Sequence, residues 1–206
     1  PQMALLGLQA GWVLIYTSLI VFVLRIFAGP ILLWLTPLGT LALASAAAAI
    51  GLYLLSSSTG LALLGAATLY GAGKSFFWGT SLGVVGEQVP KGGAVALNVM
   101  AGAGMLAAGI VGSTLLGYIQ DQSTARSVQA SPVAQHYLVE KQSVLGSYQS
   151  LDMAAVARAP AGERARIDAI VADSKRAALR DVALLPALML VAYLALILMF
   201  RRRGGY

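Results

Sequence analysis

The chain has 206 residues, of which 58% are hydrophobic and 11% are charged, and its mean hydropathy is +0.78. A soluble globular protein carries about 25% charged residues, so this composition excludes the ordinary water-soluble classes and predicts a protein of the lipid bilayer. Cysteine is absent, which excludes disulfides, zinc–thiolate centres and thiol nucleophiles, and we predict neither a metal site nor a cofactor.

The formal net charge of +6 would indicate nucleic-acid affinity in a soluble protein. In an apolar chain, basic residues such as the terminal Arg201, Arg202 and Arg203 more commonly mark the cytoplasmic side of a membrane. We therefore predict the lipid bilayer as a partner and no nucleic acid. The chain begins with Pro1 and has no basic segment before its first apolar run, so we expect an N-terminal half of the same protein to precede it.

Five apolar runs are long enough to cross a membrane, which takes about 20 helical residues. The first four are separated by clusters of turn-forming residues around positions 29–30, 56–60 and 89–93. Because the alternating pattern of barrel strands is missing, we predict an all-α integral membrane protein, a helical bundle of five transmembrane helices. The predicted spans are residues 5–28, 38–56, 61–86, 94–118 and 182–200.

We divide the chain into residues 1–118, a four-helix transmembrane segment, residues 119–181, and residues 182–206, the last helix with a basic tail. The middle segment is rich in charge and is predicted to be an extracytoplasmic loop. From Pro160 onward its apolar residues recur at helical spacing, which predicts an amphipathic helix on the outer surface. The residues on that face are Ile167, Ile170, Val171, Ala177 and Ala178.

Lys74 is a basic residue near the middle of the third predicted span, in the sequence GAGKSFFWG. A phosphate-binding loop would require glycine five positions before Gly73, where the chain has Thr68, so we exclude that motif. A lysine at the centre of a span costs about 2.5–3.5 kcal/mol on insertion scales, so such residues usually face a water-filled cavity or a paired charge. We predict that Lys74 lines a cavity.

Helical spacing places Tyr70, Phe77, Trp78 and Ser81 on the same face as Lys74. This stripe of aromatic and polar groups predicts a binding surface for a polar solute with a flat or ringed body. The alternative is that the aromatic residues pack against other helices while Lys74 pairs with a carboxylate in the preceding half of the protein.

Two polar residues in other spans are further candidates for substrate binding. They are Tyr16 in the first span and Asn98 in the fourth, although either could simply bond within or between helices. Arg25, Glu87 and Lys91 fall near the predicted cytoplasmic ends of their helices. Their equal predicted depth suggests a gating or structural ion pair between Arg25 and Glu87.

Long stretches of the chain resemble spans eight to twelve of the major facilitator superfamily, in particular bacterial members described as sugar or nucleoside transporters. The resemblance covers essentially the whole chain and would make it part of the C-terminal half of that fold. The loop motif that follows span eight in this family is reduced here to Arg25, Gly29 and Pro30. The matching stretches are YTSLIVFVLRIFAGP, TPLG and LYGAGKSFFWGTSLGVVGEQVPKGGAVALNVMAGAGML.

The resemblance implies a secondary transporter that moves a small polar solute, such as a sugar or nucleoside, across the bacterial inner membrane by alternating access. The positions of Arg25, Lys91 and the terminal arginines independently predict a cytoplasmic C-terminus for this multi-pass protein. Symport with a proton stays open, since no acidic residue lies deep in the spans. The alternatives are a non-transporting membrane subunit or sensor and an intramembrane enzyme, and we predict no enzymatic activity.

Overall fold

The computed structural model describes residues 10–131, 134–143 and 146–204, and this part of the chain is mostly helical. Residues 5–9, which begin the predicted first span, lie outside the described residues. The elements in chain order are α1 (Ala10–Ile26), α2 (Ala28–Leu35), α3 (Pro37–Ser57), α4 (Leu61–Gln88), a 3-10 turn (Pro90–Gly92), α5 (Gly93–Leu106), a π-helical turn (Ala107–Gly112), α6 (Ser113–Gln129), a second 3-10 turn (Gln135–Tyr137), β1 (Leu138–Ser143), β2 (Gly146–Leu151), α7 (Met153–Ala157), α8 (Ala161–Val182) and α9 (Leu184–Arg202).

The contacts between residues divide the chain into two compact units. The first unit comprises residues 1–103 and 183–206, and the second comprises residues 104–182. The boundaries predicted from charge lie after residues 118 and 181, so the second unit contains the predicted loop together with the residues before it. The assignment of residues 119–181 to the outside of the cell stays a prediction.

Among the described residues, three helical stretches are long and apolar enough to cross a membrane, namely Pro37–Ser57, Pro90–Gln129 and Ala161–Arg202. A shorter apolar helical stretch, Ile15–Ile26, lies within α1, and the residues before Ala10 lie outside the described part of the chain. Helix α4 has 28 residues, but its glycines and Lys74 lower its hydropathy, and it is not among the three. The structure therefore supports a membrane protein with three candidate spans, and the other two predicted spans stay predictions.

Helix α3 begins where the sequence favours a helix start. Thr36 precedes the helix with φ of 58°, and its side-chain oxygen accepts a hydrogen bond from the Gly39 amide. Pro37 follows at the first helical position, where its missing N–H costs nothing. This cap sets the direction in which α3 returns across the first unit.

Helices α3 and α4 approach closely enough that two glycines lie at their crossing. A Cβ at Gly51 would come within 2.6 Å of the Tyr70 amide nitrogen. A Cβ at Gly73 would come within 2.6 Å of backbone atoms of Ala44 and Ala48. Glycine therefore permits backbone contact between these helices, as small residues commonly do in membranes.

The same contacts give the directions of the helices in the first unit. Gly51 meets Tyr70 while the earlier Ala44 meets the later Gly73, so α3 and α4 are antiparallel. Helix α9 brings Arg201 beside Leu38 at the start of α3, so α9 also runs opposite to α3. The start of α3 and the ends of α4 and α9 therefore lie at one end of the unit.

The second unit contains a β-hairpin that the sequence analysis does not predict. Strands β1 and β2 are antiparallel, with Leu138 opposite Leu151 and Ser143 opposite Gly146. Gly146 has φ of +112°, a conformation that favours glycine. The prediction of an all-helical chain is therefore too simple in this segment, because these strands are short and largely polar and carry no strong alternating signal.

Helix α8 forms in the segment where the sequence predicts an amphipathic helix, and its apolar face covers the core of the second unit. Ile167 is 1% exposed, and Ile170 and Val171 pack against the same cluster. Ala178 is also buried, whereas Ala177, predicted for the same face, is exposed. The other buried members of this cluster are Val128, Ala134, Leu151 and Val156.

Hydrogen bonds attach the hairpin and its neighbouring turn to the helices of the second unit. The Asp121 carboxylate accepts bonds from the hydroxyls of Tyr148 and Ser150, each at 3.1 Å. The Tyr137 hydroxyl donates to the Glu163 carboxylate at 2.9 Å. The segment predicted as a loop is therefore a packed unit of helices and a hairpin.

Candidate functional site

Lys74 is the fourteenth of the 28 residues of α4, at the middle of the helix. Its amine lies 5.7 Å from the centre of the Tyr70 ring, one helical turn earlier, which is within the range of a cation–π contact. The side chain is exposed. Among the residues that the structure describes, no carboxylate pairs with Lys74.

The other residues of the predicted stripe on α4 are only partly exposed. Trp78 is 42% exposed, and Phe77 is half-buried. The Ser81 side chain lies close to the Tyr193 hydroxyl of α9. The structure therefore brings Tyr70, Lys74 and Trp78 to an accessible face, whereas the hydroxyl of Ser81 contributes to helix packing.

Arg25 lies beside α4 rather than at an isolated helix end. It lines a cleft of about 360 Å³ together with Ala28 and the α4 residues Ser75, Phe76, Trp78, Gly79 and Thr80. Ser75 and Thr80 are buried, and Trp78 belongs both to this cleft and to the stripe around Lys74. The Trp78 side chain therefore lines the same cleft as Arg25.

The Arg25 cleft bears on the predicted ion pair with Glu87. Glu87 lies seven residues after Thr80 in α4, which is about 10 Å along the helix axis. The cleft that Arg25 lines is formed by an earlier part of α4, from Ser75 to Thr80. The Arg25–Glu87 pair stays a prediction.

Tyr16 contacts α4 directly. Its hydroxyl lies 2.9 Å from the Thr68 hydroxyl, and the Thr68 hydroxyl lies 2.7 Å from the Leu64 carbonyl, to which it donates. Since Thr68 has a single hydroxyl proton, Tyr16 is the donor in the bond between the two helices. Tyr16 therefore joins α1 to α4, and whether it also touches a solute stays a prediction.

The remaining candidates lie away from the Lys74 stripe. Asn98 is an exposed residue of α5, and no described residue of α5 is buried. Helix α5 makes no extensive packing contact with the other described helices. Lys91 is exposed in the 3-10 turn Pro90–Gly92, and Glu87 is exposed in the last turn of α4. None of the three is brought beside Lys74 by the described contacts.

Three residues of this region are missed by the sequence analysis. Thr68 is the hydrogen-bond partner of Tyr16, Tyr193 lies close to Ser81, and Thr80 is buried at the Arg25 cleft. A signal exists for Tyr193, which is the one polar side chain between Leu184 and Phe200. Thr68 and Thr80 have no comparable signal, because hydroxyls in apolar helices commonly bond to their own backbone.

Two tyrosines of the second unit donate hydrogen bonds to carboxylates, and both have raised pKa values. The hydrogen bond to Glu163, followed by partial burial and the carboxylate charge, raises the pKa of Tyr137 above its ordinary value. Partial burial, followed by the hydrogen bond to Asp121, raises the pKa of Tyr148. Among the described residues, no three histidine, aspartate or glutamate side chains gather as metal ligands would.

Comparison of the chain with protein-family models, with curated proteins and with solved structures gives no match. The family resemblance is therefore carried by the quoted stretches of sequence alone. What the structure establishes is a mostly helical chain with three helices that could span a membrane and a lysine exposed at the middle of α4.

Proposed function

We propose that the chain is part of a secondary transporter that carries a small polar solute across a membrane by alternating access. The observation that carries the proposal is Lys74, a basic residue at the middle of a helix, exposed beside Tyr70 and Trp78 and without a carboxylate partner among the described residues. A structural lysine in lipid would be expected to have such a partner.

The energetics favour water or a polar ligand around the amine. Placing a lysine at the centre of a span costs about 2.5–3.5 kcal/mol. The contact with the Tyr70 ring returns about 0.5–1 kcal/mol at an exposed site. Water in a cavity would most simply offset the part of the insertion cost that the Tyr70 contact leaves. An anionic or hydroxyl-rich solute in that cavity would form a direct bond to the amine.

The arrangement of the first unit also supports a transporter. Helices α1 and α4 run in the same direction, because Tyr16 bonds to Thr68 while the later Arg25 lines a cleft with the later α4 residues up to Thr80. Helix α3 runs against them, as successive spans of a multi-pass protein do. This pattern agrees with the family resemblance, in which two halves rock about a central binding site.

One observation favours the alternative of a membrane subunit or sensor without transport activity. Tyr16 bonds to Thr68, and Ser81 lies close to Tyr193, so some of the candidate polar residues lie at contacts between helices. In that alternative, Lys74 and Trp78 would also be covered by packed protein in the complete molecule. The two functions differ in whether Lys74 is needed for uptake.

The test is uptake by cells or vesicles that contain the full-length protein, with a screen of sugars, nucleosides and organic anions, with and without an imposed proton gradient. We expect Lys74→Met to abolish uptake while the protein still inserts and folds. Lys175→Met is the matched control, since Lys175 is an exposed lysine of α8, and it should transport normally. Normal uptake by Lys74→Met would remove Lys74 from the site, and the absence of uptake for every solute tested would favour the subunit.

A further inference from the structure

Helix α9 has two unlike faces. One face packs against α3 and includes the buried Pro186 and the half-buried Ile197. The opposite face is a continuous exposed stripe, here called the outer stripe of α9. Its members follow each other at three- or four-residue intervals, and they are Leu184, Leu188, Val191, Ala195, Leu198 and Arg202.

The outer stripe has the length of the apolar part of a bilayer. Helix α9 has 19 residues, which span about 28 Å at about 1.5 Å per residue. The hydrocarbon core of a membrane is about 30 Å thick. If the leucines of the stripe contact acyl chains, Arg202 at its end lies at the level of the lipid phosphates.

A cleft at the end of the outer stripe combines apolar walls with two guanidinium groups. It has a volume of about 390 Å³ and is lined by Ala195, Leu198, Met199, Arg202 and Arg203. No carboxylate is among these lining residues. The apolar walls suit the upper part of an acyl chain, and the arginines suit an oxygen-rich anion.

The neighbouring Arg201 has a different setting. It points to the side of α9 that faces α3 and lines a separate cleft of about 110 Å³ with Thr36, Leu38 and Ile197. Two consecutive arginines of the same tail therefore differ in what surrounds them. Replacing Arg201 therefore removes the same charge as replacing Arg202 but leaves the first cleft intact, so Arg201 serves as the control.

We propose that the cleft formed by Ala195, Leu198, Met199, Arg202 and Arg203 binds the headgroup of an anionic phospholipid. The guanidinium groups donate paired hydrogen bonds to the lipid phosphate, and Leu198 and Met199 contact the first methylenes of its acyl chain. Basic pockets at the end of transmembrane helices recognise anionic headgroups in this way. The site holds whether or not the protein is a transporter, because it uses none of the residues around Lys74.

The experiment is native mass spectrometry of the full-length protein in detergent, titrated with phosphatidylglycerol or with phosphatidylcholine. We expect the wild-type protein to bind phosphatidylglycerol more tightly. Arg202→Gln should weaken that binding about fivefold, and removal of both Arg202 and Arg203 should weaken it about thirtyfold. Arg201→Gln should leave it close to wild type. Equal binding of the two lipids, or an equal loss in Arg201→Gln and Arg202→Gln, would overturn the proposal.

A second variant tests the apolar part of the site without changing charge. Ala195→Trp fills the cleft from the exposed face of α9. We expect it to weaken phosphatidylglycerol binding while both arginines remain. Unchanged binding by Ala195→Trp would show that the tail attracts anionic lipid by charge alone, and the assigned cleft would then be wrong.

Discussion

Replacing Gly73 with alanine tests the close crossing of α3 and α4 on which the position of Lys74 depends. An ideal Cβ at Gly73 lies 2.6 Å from the Ala44 carbonyl oxygen and 2.6 Å from the Ala48 nitrogen. Non-bonded heavy atoms are normally about 3.5 Å or more apart. The two helices would therefore have to separate by roughly 1 Å at this point, since backbone atoms cannot rotate away as a side chain can.

The expected magnitude follows from a comparison with Gly65 in the same helix. A Cβ at Gly65 meets nothing within 4 Å, so Gly65→Ala gains the helix propensity of alanine, about 1 kcal/mol, without a clash. Gly73→Ala gains the same propensity and adds the strain of overpacking, about 1–3 kcal/mol. The propensity terms cancel, and Gly73→Ala should be less stable than Gly65→Ala by about 1–3 kcal/mol.

The assay is unfolding of each variant in mixed micelles, followed by far-ultraviolet circular dichroism as the fraction of denaturing detergent rises. Both variants are full-length and differ by the same single methyl group. If Gly73→Ala were as stable as Gly65→Ala, the close contact between α3 and α4 would be refuted.

Two further predictions concern individual hydrogen bonds. Tyr16→Phe should lower the free energy of unfolding by about 0.5–1.5 kcal/mol, and a double-mutant cycle with Thr68→Val should assign most of that loss to their mutual bond; strictly additive effects would contradict it. The pKa of Tyr137 is raised in the folded protein by its bond to Glu163, so its contribution to stability is complete below its ordinary pKa of about 10 and is lost as the pH rises through the higher folded value. Stability measured between about pH 9 and pH 12 should therefore fall more in the wild type than in Tyr137→Phe, and parallel curves would argue against the bond.

Local patterns in the sequence predict the local features of this structure. Helices α3 and α8 lie where apolar runs and helical spacing predict them, and the start of α8 directly after Pro160 agrees with the preference of proline for helix starts. The contact between Lys74 and Tyr70 follows from their four-residue spacing. Each of these features depends on residues within one or two helical turns.

Features that join distant residues could not be predicted from the sequence. The bond of Tyr16 to Thr68 and the approach of Ser81 to Tyr193 depend on how helices pack. The hairpin could not be predicted because its stability comes from Leu151 in the shared core and from the bonds that Asp121 accepts, not from the propensity of its short strands. These contacts between distant residues therefore depend on tertiary packing, which local sequence patterns do not predict.

The most direct test of the central claim is whether position 74 contacts water in the membrane. The chain contains no cysteine, so in a full-length background whose other cysteines are replaced by serine, Lys74→Cys gives a single site for a charged, water-soluble thiol reagent. Gly83→Cys is the control, since Gly83 lies on the same helix on the side opposite Lys74, and we expect that side to face acyl chains rather than water. We predict that Lys74→Cys is labelled in intact membranes and that Gly83→Cys is not. If Lys74→Cys were not labelled, that result would contradict a water-filled cavity at this position.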